Sequence, residues 1–166
     1  SKVYDLRNSN IAIELSYSKV ISVNVMGEVL SPGTYSVPSI NSAFNILSLA
    51  NGPNERGTVR NISVVRNGEV IHKLDIYDYM NNPKKSSSVH LMDGDFILVP
   101  TLGNIISISG EIIRSGKYEL KDNETLMDAI NFAGGFTENA NENNISVLRN
   151  TPTGKQVKGF TWSEAE

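Results

Sequence analysis

Apolar and polar residues alternate over residues 20–29, where every second residue from Ile21 to Val25 is apolar. This period of two predicts a strand with one buried face. Residues 31–33, Ser-Pro-Gly, predict a turn, because proline fixes φ and glycine accepts a positive φ. Residues 34–37 predict a returning strand, so the stretch as a whole predicts a β-hairpin.

The pattern then changes to a helical period. Ala43, Ile46, Leu47 and Ala50 stand at positions i, i+3, i+4 and i+7, which places them on one apolar stripe. Ser42 occupies the position of an N-cap. An Asn-Gly pair follows the stripe and predicts a left-handed helix end.

Three more strands and a short helix complete the pattern. Residues 61–66 and 70–74 predict a second hairpin around a tight Asn-Gly turn. Residues 76–80 predict a short helical turn, and residues 81–88 a polar loop. The continuous apolar run Phe96–Val99 predicts a buried strand.

This pattern occurs twice in the chain. Residues 23–67 align with residues 106–150 without a gap, at an offset of 83 residues. Identical pairs include Gly27 with Gly110, Glu28 with Glu111, Gly33 with Gly116, Tyr35 with Tyr118, and Gly52 with Gly135. The helical stripe recurs over residues 126–133, where Thr125 and Asp128 predict a capping box. The protein is therefore expected to be a tandem of one module.

The repeat sets the expected domain bounds. Residues 20–101 form the first unit, and residues 102–166 form a second unit that stops before a counterpart of its closing strand, residues 91–99. Residues 1–19 are expected to be a linker and the closing strand of a preceding unit. We therefore expect this chain to be a slice of a longer protein.

The composition of the chain argues against some classes of function. The chain has 166 residues, a net charge of −3 and no cysteine. It has no block rich in lysine and arginine, so we expect no nucleic-acid partner. No apolar run approaches the ~18 residues that a membrane-spanning helix needs. The order of elements predicts an α+β fold, with each unit a curled mixed sheet packed on one main helix, as in a ubiquitin-like β-grasp.

The motifs resemble the soluble-ligand-binding β-grasp (SLBB) domain family. The shared pattern comprises residues 25–35, a helix ending in Ala-x-Gly at residues 50–52, a strand ending at Arg66, and the closing stretch 91–99. Most of it recurs from residue 108. The signature positions, for which a structural role is expected, are Gly27, Glu28, Gly33, Tyr35, Gly52, Asp93, Gly94, Asp95, Gly110, Glu111, Gly116, Tyr118, Gly134 and Gly135. The second copy departs from the family at Ser115, where proline is favoured.

Tandem units of this kind resemble the periplasmic part of outer-membrane polysaccharide export proteins of Gram-negative bacteria. The resemblance implies a non-enzymatic binding and assembly module that forms part of the export conduit for capsule or exopolysaccharide. It implies transient contact with polysaccharide, contact with other subunits of the export complex, and a homo-oligomer in the full-length protein. It implies no cofactor, and membrane association only through parts outside this chain.

Candidate chemistry is sparse. Glu28 and Glu111 lie in different units, so a structural role is favoured over a catalytic pair. The Asp93–Asp95 stretch lacks the spaced ligands of a calcium loop and favours a turn. Tyr35 and Tyr118 are candidates for stacking on sugar rings, although packing against the helix is favoured. We also expect Asn139 and Asn141 to lie in a polar loop that either contacts glycan or a subunit or is simply solvated.

Two other functions compete with export. The first is a soluble β-grasp domain that binds a glycan or small ligand and has no part in transport. The second is a polysaccharide lyase or hydrolase, which needs two carboxylates roughly 5–10 Å apart in a cleft. The sequence offers no such pair, so we predict no catalytic and no metal-binding residue.

Overall fold

A computed structural model describes residues 19–81 and 89–165 of the chain. The strands are β1 (Val20–Gly27), β2 (Gly33–Pro38), β3 (Ile62–Arg66), β4 (Glu69–Leu74), β5 (Phe96–Val99), β6 (Asn104–Ile108), β7 (Gly116–Leu120), β8 (Ile145–Thr151) and β9 (Gly154–Phe160). The helices are α1 (Ala43–Leu49), α2 (Ile76–Asn81), α3 (Leu126–Phe132) and α4 (Trp162–Ala165). The expected α+β class is confirmed by this mixture. The domain bounds proposed above stay a prediction.

The first unit is a five-stranded mixed sheet in the order β2-β1-β5-β3-β4. β5 lies parallel to β1 and antiparallel to β3, and both hairpins are antiparallel. The inward residues of the strands and the apolar stripe of α1 form one core. Its fully buried members include Ile21, Val23, Val25, Ile46, Ile62, Val64, Ile97 and Val99.

Both main helices begin and end as the sequence predicts. The Ser42 hydroxyl accepts a hydrogen bond from the backbone N–H of Asn45. At the start of α3, Thr125 and Asp128 form the reciprocal capping box. Each helix ends in residues of positive φ, Asn51 and Gly52 after α1 and Gly134 and Gly135 after α3.

The second unit repeats the hairpins and the helix but not the mixed sheet. Within the described residues, β6 pairs only with β7 and β8 pairs only with β9, so that two separate antiparallel ribbons result. Ala129, Ile130 and Ala133 of the α3 stripe are buried. The mixed sheet expected of each unit is thus present in the first unit, where β5 joins β1 to β3.

Two details differ from the sequence-based prediction. Phe96 and Leu98 of β5 are partly exposed while Ile97 and Val99 are buried, because the sheet is covered on one face by α1 and less on the other. The sequence of the second copy predicts a five-residue turn over residues 150–154, and the turn between β8 and β9 is shorter. Thr151 and Gly154 pair across it, and the Thr151 hydroxyl donates a hydrogen bond to the Gly154 carbonyl.

Some predictions lie outside the described residues. They are the strand and linker expected within residues 1–18 and most of the loop expected at residues 81–88. In the part of the chain that the structure covers, no helix is long and apolar enough to span a membrane.

Candidate functional site

The most distinctive polar cluster of the described chain lies where the two units meet, and we call it the joint. Arg60, in the loop before β3, is only 4% exposed. Its Nε donates to both carboxylate oxygens of Asp75, at 2.9 and 3.0 Å. Its two terminal nitrogens donate to Glu124 of the second unit, at 2.9 and 2.6 Å. One guanidinium therefore links a carboxylate from each unit, in the planar geometry that arginine favours.

Aromatic rings enclose the same guanidinium. Its carbon lies 4.4 Å from the ring centre of Tyr77 in α2 and 4.7 Å from that of Phe132 in α3. Tyr77 also packs on Phe132, with ring centres 4.9 Å apart. Cation–π contact of this kind strengthens as water is excluded. The rings thus replace part of the hydration that Arg60 loses on burial.

A second carboxylate crosses the joint in the opposite direction. Glu119 of β7 is buried, and its side chain accepts a bond from the Thr58 hydroxyl at 2.7 Å. It also accepts from the backbone N–H groups of Val59 at 2.8 Å and Gly103 at 2.7 Å. The Glu119 backbone N–H donates to the Tyr77 hydroxyl at 3.2 Å. A buried carboxylate needs such donors, because an unpaired one would cost several kcal/mol.

The charges of the joint stabilise each other. Burial opposes the positive charge of Arg60, but the hydrogen bonds and charges of Glu124 and Asp75 outweigh it and raise the pKa of the guanidinium. Burial likewise opposes the negative charge of Glu124. Bonds from Arg60 and from the Lys121 backbone N–H outweigh it and lower the pKa of that carboxyl. Arg60 and Glu124 are therefore both charged at neutral pH.

Tyr77 and Lys121 complete the joint. Burial raises the pKa of the Tyr77 phenol, so that it stays neutral. The Lys121 ammonium lies 2.6 Å from Asp75 and gives this carboxylate a second cation. The arrangement binds its carboxylates to donors of the protein itself. Chemically it can hold two units in one orientation, and it leaves no carboxylate of the cluster without a protein partner.

Glu28 and Glu111 lie outside the joint and hold the loop that follows each main helix. Glu28 accepts a bond from the Asn54 side chain at 2.9 Å, and Glu111 accepts one from the Thr137 hydroxyl at 2.6 Å. Asn54 and Thr137 are equivalent positions of the repeat. The structure does not bring the two glutamates together. Each glutamate fixes the loop that follows the main helix of its own unit.

The two signature tyrosines repeat the same bond. The Tyr35 hydroxyl donates to the Ser31 carbonyl and the Tyr118 hydroxyl to the Arg114 carbonyl, both at 2.6 Å. These bonds close the first turn of each unit. The Tyr118 ring also meets Tyr77 edge to face, at 6.3 Å between centres. A role of either ring in sugar stacking stays a prediction.

The acidic turn before β5 is bound to its own sheet. Asp93 accepts a bond from the Ser22 backbone N–H at 2.7 Å. Asp95 is buried and accepts two bonds from Arg66, each 2.8 Å long. Burial opposes its charge, but these bonds and one from the Met92 backbone outweigh it and lower the pKa of Asp95. In the described residues, no group of three or more potential metal ligands was found.

The remaining predicted positions are spread over turns. Gly33 and Gly116 open β2 and β7, Gly94 has a φ of 84°, and Gly52 and Gly135 donate to the helix carbonyls of Leu47 and Ile130. Asn139 and Asn141 are exposed, and the Asn141 side chain accepts a bond from the Asn143 backbone N–H.

Sequence reasoning missed the joint, because it looked for what the two copies share. The residues of the joint are those that the repeat does not keep. Arg60 aligns with Asn143, Glu119 with Ser36 and Glu124 with Asn41. The signal that could have indicated the joint is a charged residue whose counterpart in the other copy is uncharged.

The comparisons with known proteins agree with the repeat. The SLBB domain family matches residues 22–73 and 105–160. These segments make up more than half of the chain, so the chain belongs to the SLBB domain family. Two proteins of Escherichia coli, both described as polysialic acid transport protein KpsD, are 30% identical to it over 137 residues. The alignment covers 80% of this chain and 24% of each relative, so the chain spans about a quarter of the relatives' length.

Proposed function

We propose that each unit is a β-grasp. In the first unit, the order β2-β1-β5-β3-β4 with one helix on the sheet supports this assignment. In the second unit, support comes from the equivalent hairpins, the equivalent helix caps and the equivalent hydrogen bond from Thr137 to Glu111.

We infer that the chain is a non-enzymatic module of a polysaccharide export protein, and that it forms part of the conduit for capsule or exopolysaccharide. Membership of the SLBB family and similarity to a polysialic acid transport protein support this function. The full-length protein is then periplasmic and associated with the outer membrane of a Gram-negative bacterium. Its partners are the transiently bound polysaccharide and further subunits, including copies of itself.

The single observation that carries this proposal is the joint. A conduit wall needs building blocks that keep their relative orientation while polymer passes. Arg60 and Glu119 each cross from one unit to the other, with hydrogen bonds of 3.0 Å or less to the groups they meet there. Because the joint residues differ between the copies, the contact defines one neighbour and one orientation.

The residues predicted to contact glycan or a neighbouring subunit remain part of the proposal. Asn139 and Asn141 are exposed and are our first choice for contact with glycan or a neighbouring subunit. Tyr35 and Tyr118 are half-buried with bonded hydroxyls, so contact would use the ring edge.

A genetic experiment in the native host tests the function. Deleting the full-length gene should abolish surface polysaccharide, and the intact gene should restore it. Restoration should fail with Arg60→Ala but succeed with Arg56→Ala, whose side chain is exposed. Electron microscopy of the full-length protein should show a closed oligomer. Unchanged surface polysaccharide together with monomers only would refute the proposal.

A polar groove whose lining includes Arg60, Asp75 and Glu119 of the joint favours one second candidate, a soluble glycan-binding domain. The groove measures about 630 Å³, and its lining also includes the charged residues Lys73, Asp78 and Asp122. Titration with capsule oligosaccharides, followed by NMR, tests this function. Shifts at the groove in the absence of any export defect on gene deletion would favour it over transport.

A further inference from the structure

Three residues of the chain share one kind of chemical reactivity. Asn51 and Asn67 are the two asparagines followed by glycine, and Asp93 is the one aspartate followed by glycine. In such a pair the backbone nitrogen of the glycine can attack the side-chain carbonyl carbon of the residue before it, because glycine has no Cβ to hinder the approach. A cyclic imide, a succinimide, results. Water then opens the ring at either carbonyl and leaves aspartate or isoaspartate.

The fold holds back this reaction at Asn51, which follows the end of α1. The attacking group, the Gly52 N–H, donates to the Leu47 carbonyl of the helix at 2.9 Å. The group under attack is also held, because the Asn51 side-chain amide donates to the Ser31 hydroxyl at 3.0 Å. The ring can close only after these bonds are broken, so the helix end protects the pair.

Asp93 is protected in the same manner by a different element. The Gly94 N–H donates to the Ser22 carbonyl of β1 at 2.8 Å. The Asp93 carboxylate accepts from the Ser22 N–H at 2.7 Å. One residue of the neighbouring strand therefore binds both the attacking group and the group under attack, and closing the ring would cost both bonds.

Asn67 lacks this protection. Asn67 and Gly68 form the turn between β3 and β4, with φ of 51° and 83°, the left-handed pair that a type I′ turn requires. Both residues are exposed, and a Cβ atom added to Gly68 would meet nothing within 4 Å. Among the described residues, neither the Gly68 N–H nor the Asn67 side chain makes a hydrogen bond. The two reacting groups are therefore adjacent, open to water and not held by the fold.

We propose that Asn67 is a site of spontaneous hydrolytic modification, at which the folded protein acquires aspartate or isoaspartate while Asn51 and Asp93 stay intact. The Gly68 nitrogen forms a bond to Cγ of Asn67 and gives up its proton. The bond from Cγ to Nδ2 breaks, and the nitrogen leaves with that proton as ammonia. Water then adds across one bond of the imide ring. Water is the only co-reactant, and nothing is oxidised or reduced. The site does not depend on the export function.

The isoaspartate product changes the hairpin more than the aspartate product does. Isoaspartate adds a methylene group to the main chain within the turn, whereas aspartate keeps the backbone as it is. Beyond the irregularity between Val64 and Val65, the end of the hairpin is held by two residue pairs, Val65 with Val70 and Arg66 with Glu69. β4 is also an edge strand of its sheet. We therefore expect isoaspartate to open this end of the hairpin and to leave the rest of the sheet in place.

The experiment keeps the full chain folded in warm neutral buffer for several weeks and follows each site by peptide mass spectrometry after digestion in acid. Asn67 should be converted about tenfold faster than Asn51, because the hydrogen bonds at Asn51 must first be broken. Asn150 takes the place of Asn67 in the second copy but is followed by threonine, and it supplies the slow background rate. In concentrated urea the two Asn-Gly pairs should be converted at similar rates, because the protecting bonds are then lost.

Two variants and one separation complete the test. Asn67→Gln would need a larger ring, so its modified form should not accumulate. Anion exchange separates the modified chains, which carry one more negative charge than the parent. In hydrogen exchange monitored by NMR, the isoaspartate form should exchange faster at residues 65–70 and as the parent does in β1 and β2, and Asn67→Asp should match the parent throughout. Equal rates at Asn51 and Asn67 in the folded chain, conversion of Asn67 no faster than that of Asn150, or an isoaspartate form that exchanges as the parent does would each overturn the proposal.

Discussion

Arg60 and Glu124 form a two-pronged ion pair across the joint, with nitrogen–oxygen distances of 2.9 and 2.6 Å. The side chain of Arg60 is 2% exposed and that of Glu124 is 14% exposed. A pair so shielded from water is screened little by salt, unlike a surface ion pair. The relative orientation of the units thus depends on an ion pair that salt weakens little.

Removing the arginine should loosen the joint. Arg60→Ala leaves Asp75 and Glu124 without their shared cation, so we expect a loss of about 3–5 kcal/mol in the free energy of unfolding. Urea unfolding measures this loss. Spin labels at the exposed positions Val70 and Lys155 should show a broader distance distribution in the variant.

The matched control is Arg56→Ala. The Arg56 side chain is 81% exposed and lies 3.6 Å from Glu28. An exposed ion pair contributes little, so the change should stay within about 0.5 kcal/mol. Equal effects of the two variants on stability and on the distance distribution would contradict a role of the joint in orientation.

Acid should weaken the joint in a definite pH window. The pKa of Glu124 is lowered in the folded protein, so the unfolded state binds more protons near the unfolded pKa of about 4.3. The contribution of Glu124 is therefore fully present above that pH and is lost as the pH falls through the lowered pKa.

The Glu124→Gln variant makes this effect measurable. The variant lacks the titrating group, so its free energy of unfolding should fall less steeply than the parent's as the pH falls below about 4.3. Both proteins retain Asp95, whose pKa is also lowered, so only the difference between them reports on Glu124. Parallel curves for the two proteins would show that Glu124 gains nothing from the joint.

The sequence predicted what depends on local periodicity. The stripe from Ala43 to Ala50 and the alternation from Ile21 to Val25 indicated the helix and the first strand directly, because burial on one face leaves a period. The repeat of Gly27 and Glu28 identified the module. These features depend on near neighbours in the chain.

The joint could not be predicted in this way. Arg60 and Glu124 are 64 positions apart, and nothing near either residue indicates that the two will meet. Their contact depends on how two folded units pack, which a single sequence does not encode as a period. The incomplete burial of β6 and β8 could not be predicted for a related reason. The apolar residues of β6 and β8 match those of β1 and β3 in pattern and differ in exposure.

The core of the first unit should tolerate no charge on the inner face of α1. Leu47 is buried and Leu49 is 54% exposed on the same helix. Leu47→Asp removes a packed side chain and buries a carboxylate, so we expect a loss of more than about 4 kcal/mol and an unfolded first unit. Leu49→Asp should change stability by less than about 1 kcal/mol. Circular dichroism and urea unfolding distinguish them, and a folded Leu47→Asp protein would contradict the assigned core.

The aligned glycines Gly27 and Gly110 offer a test of how differently the two units are filled. Both have a positive φ, of 91° and 103°, so an alanine costs each about 1–2 kcal/mol in backbone strain. Only at Gly27 would the new methyl group overlap the Val99 carbonyl. Gly27→Ala should therefore destabilise the chain by about 1–3 kcal/mol more than Gly110→Ala, as measured by urea unfolding. Equal losses at both positions would mean that β6 is as closely covered in solution as β1 is by β5.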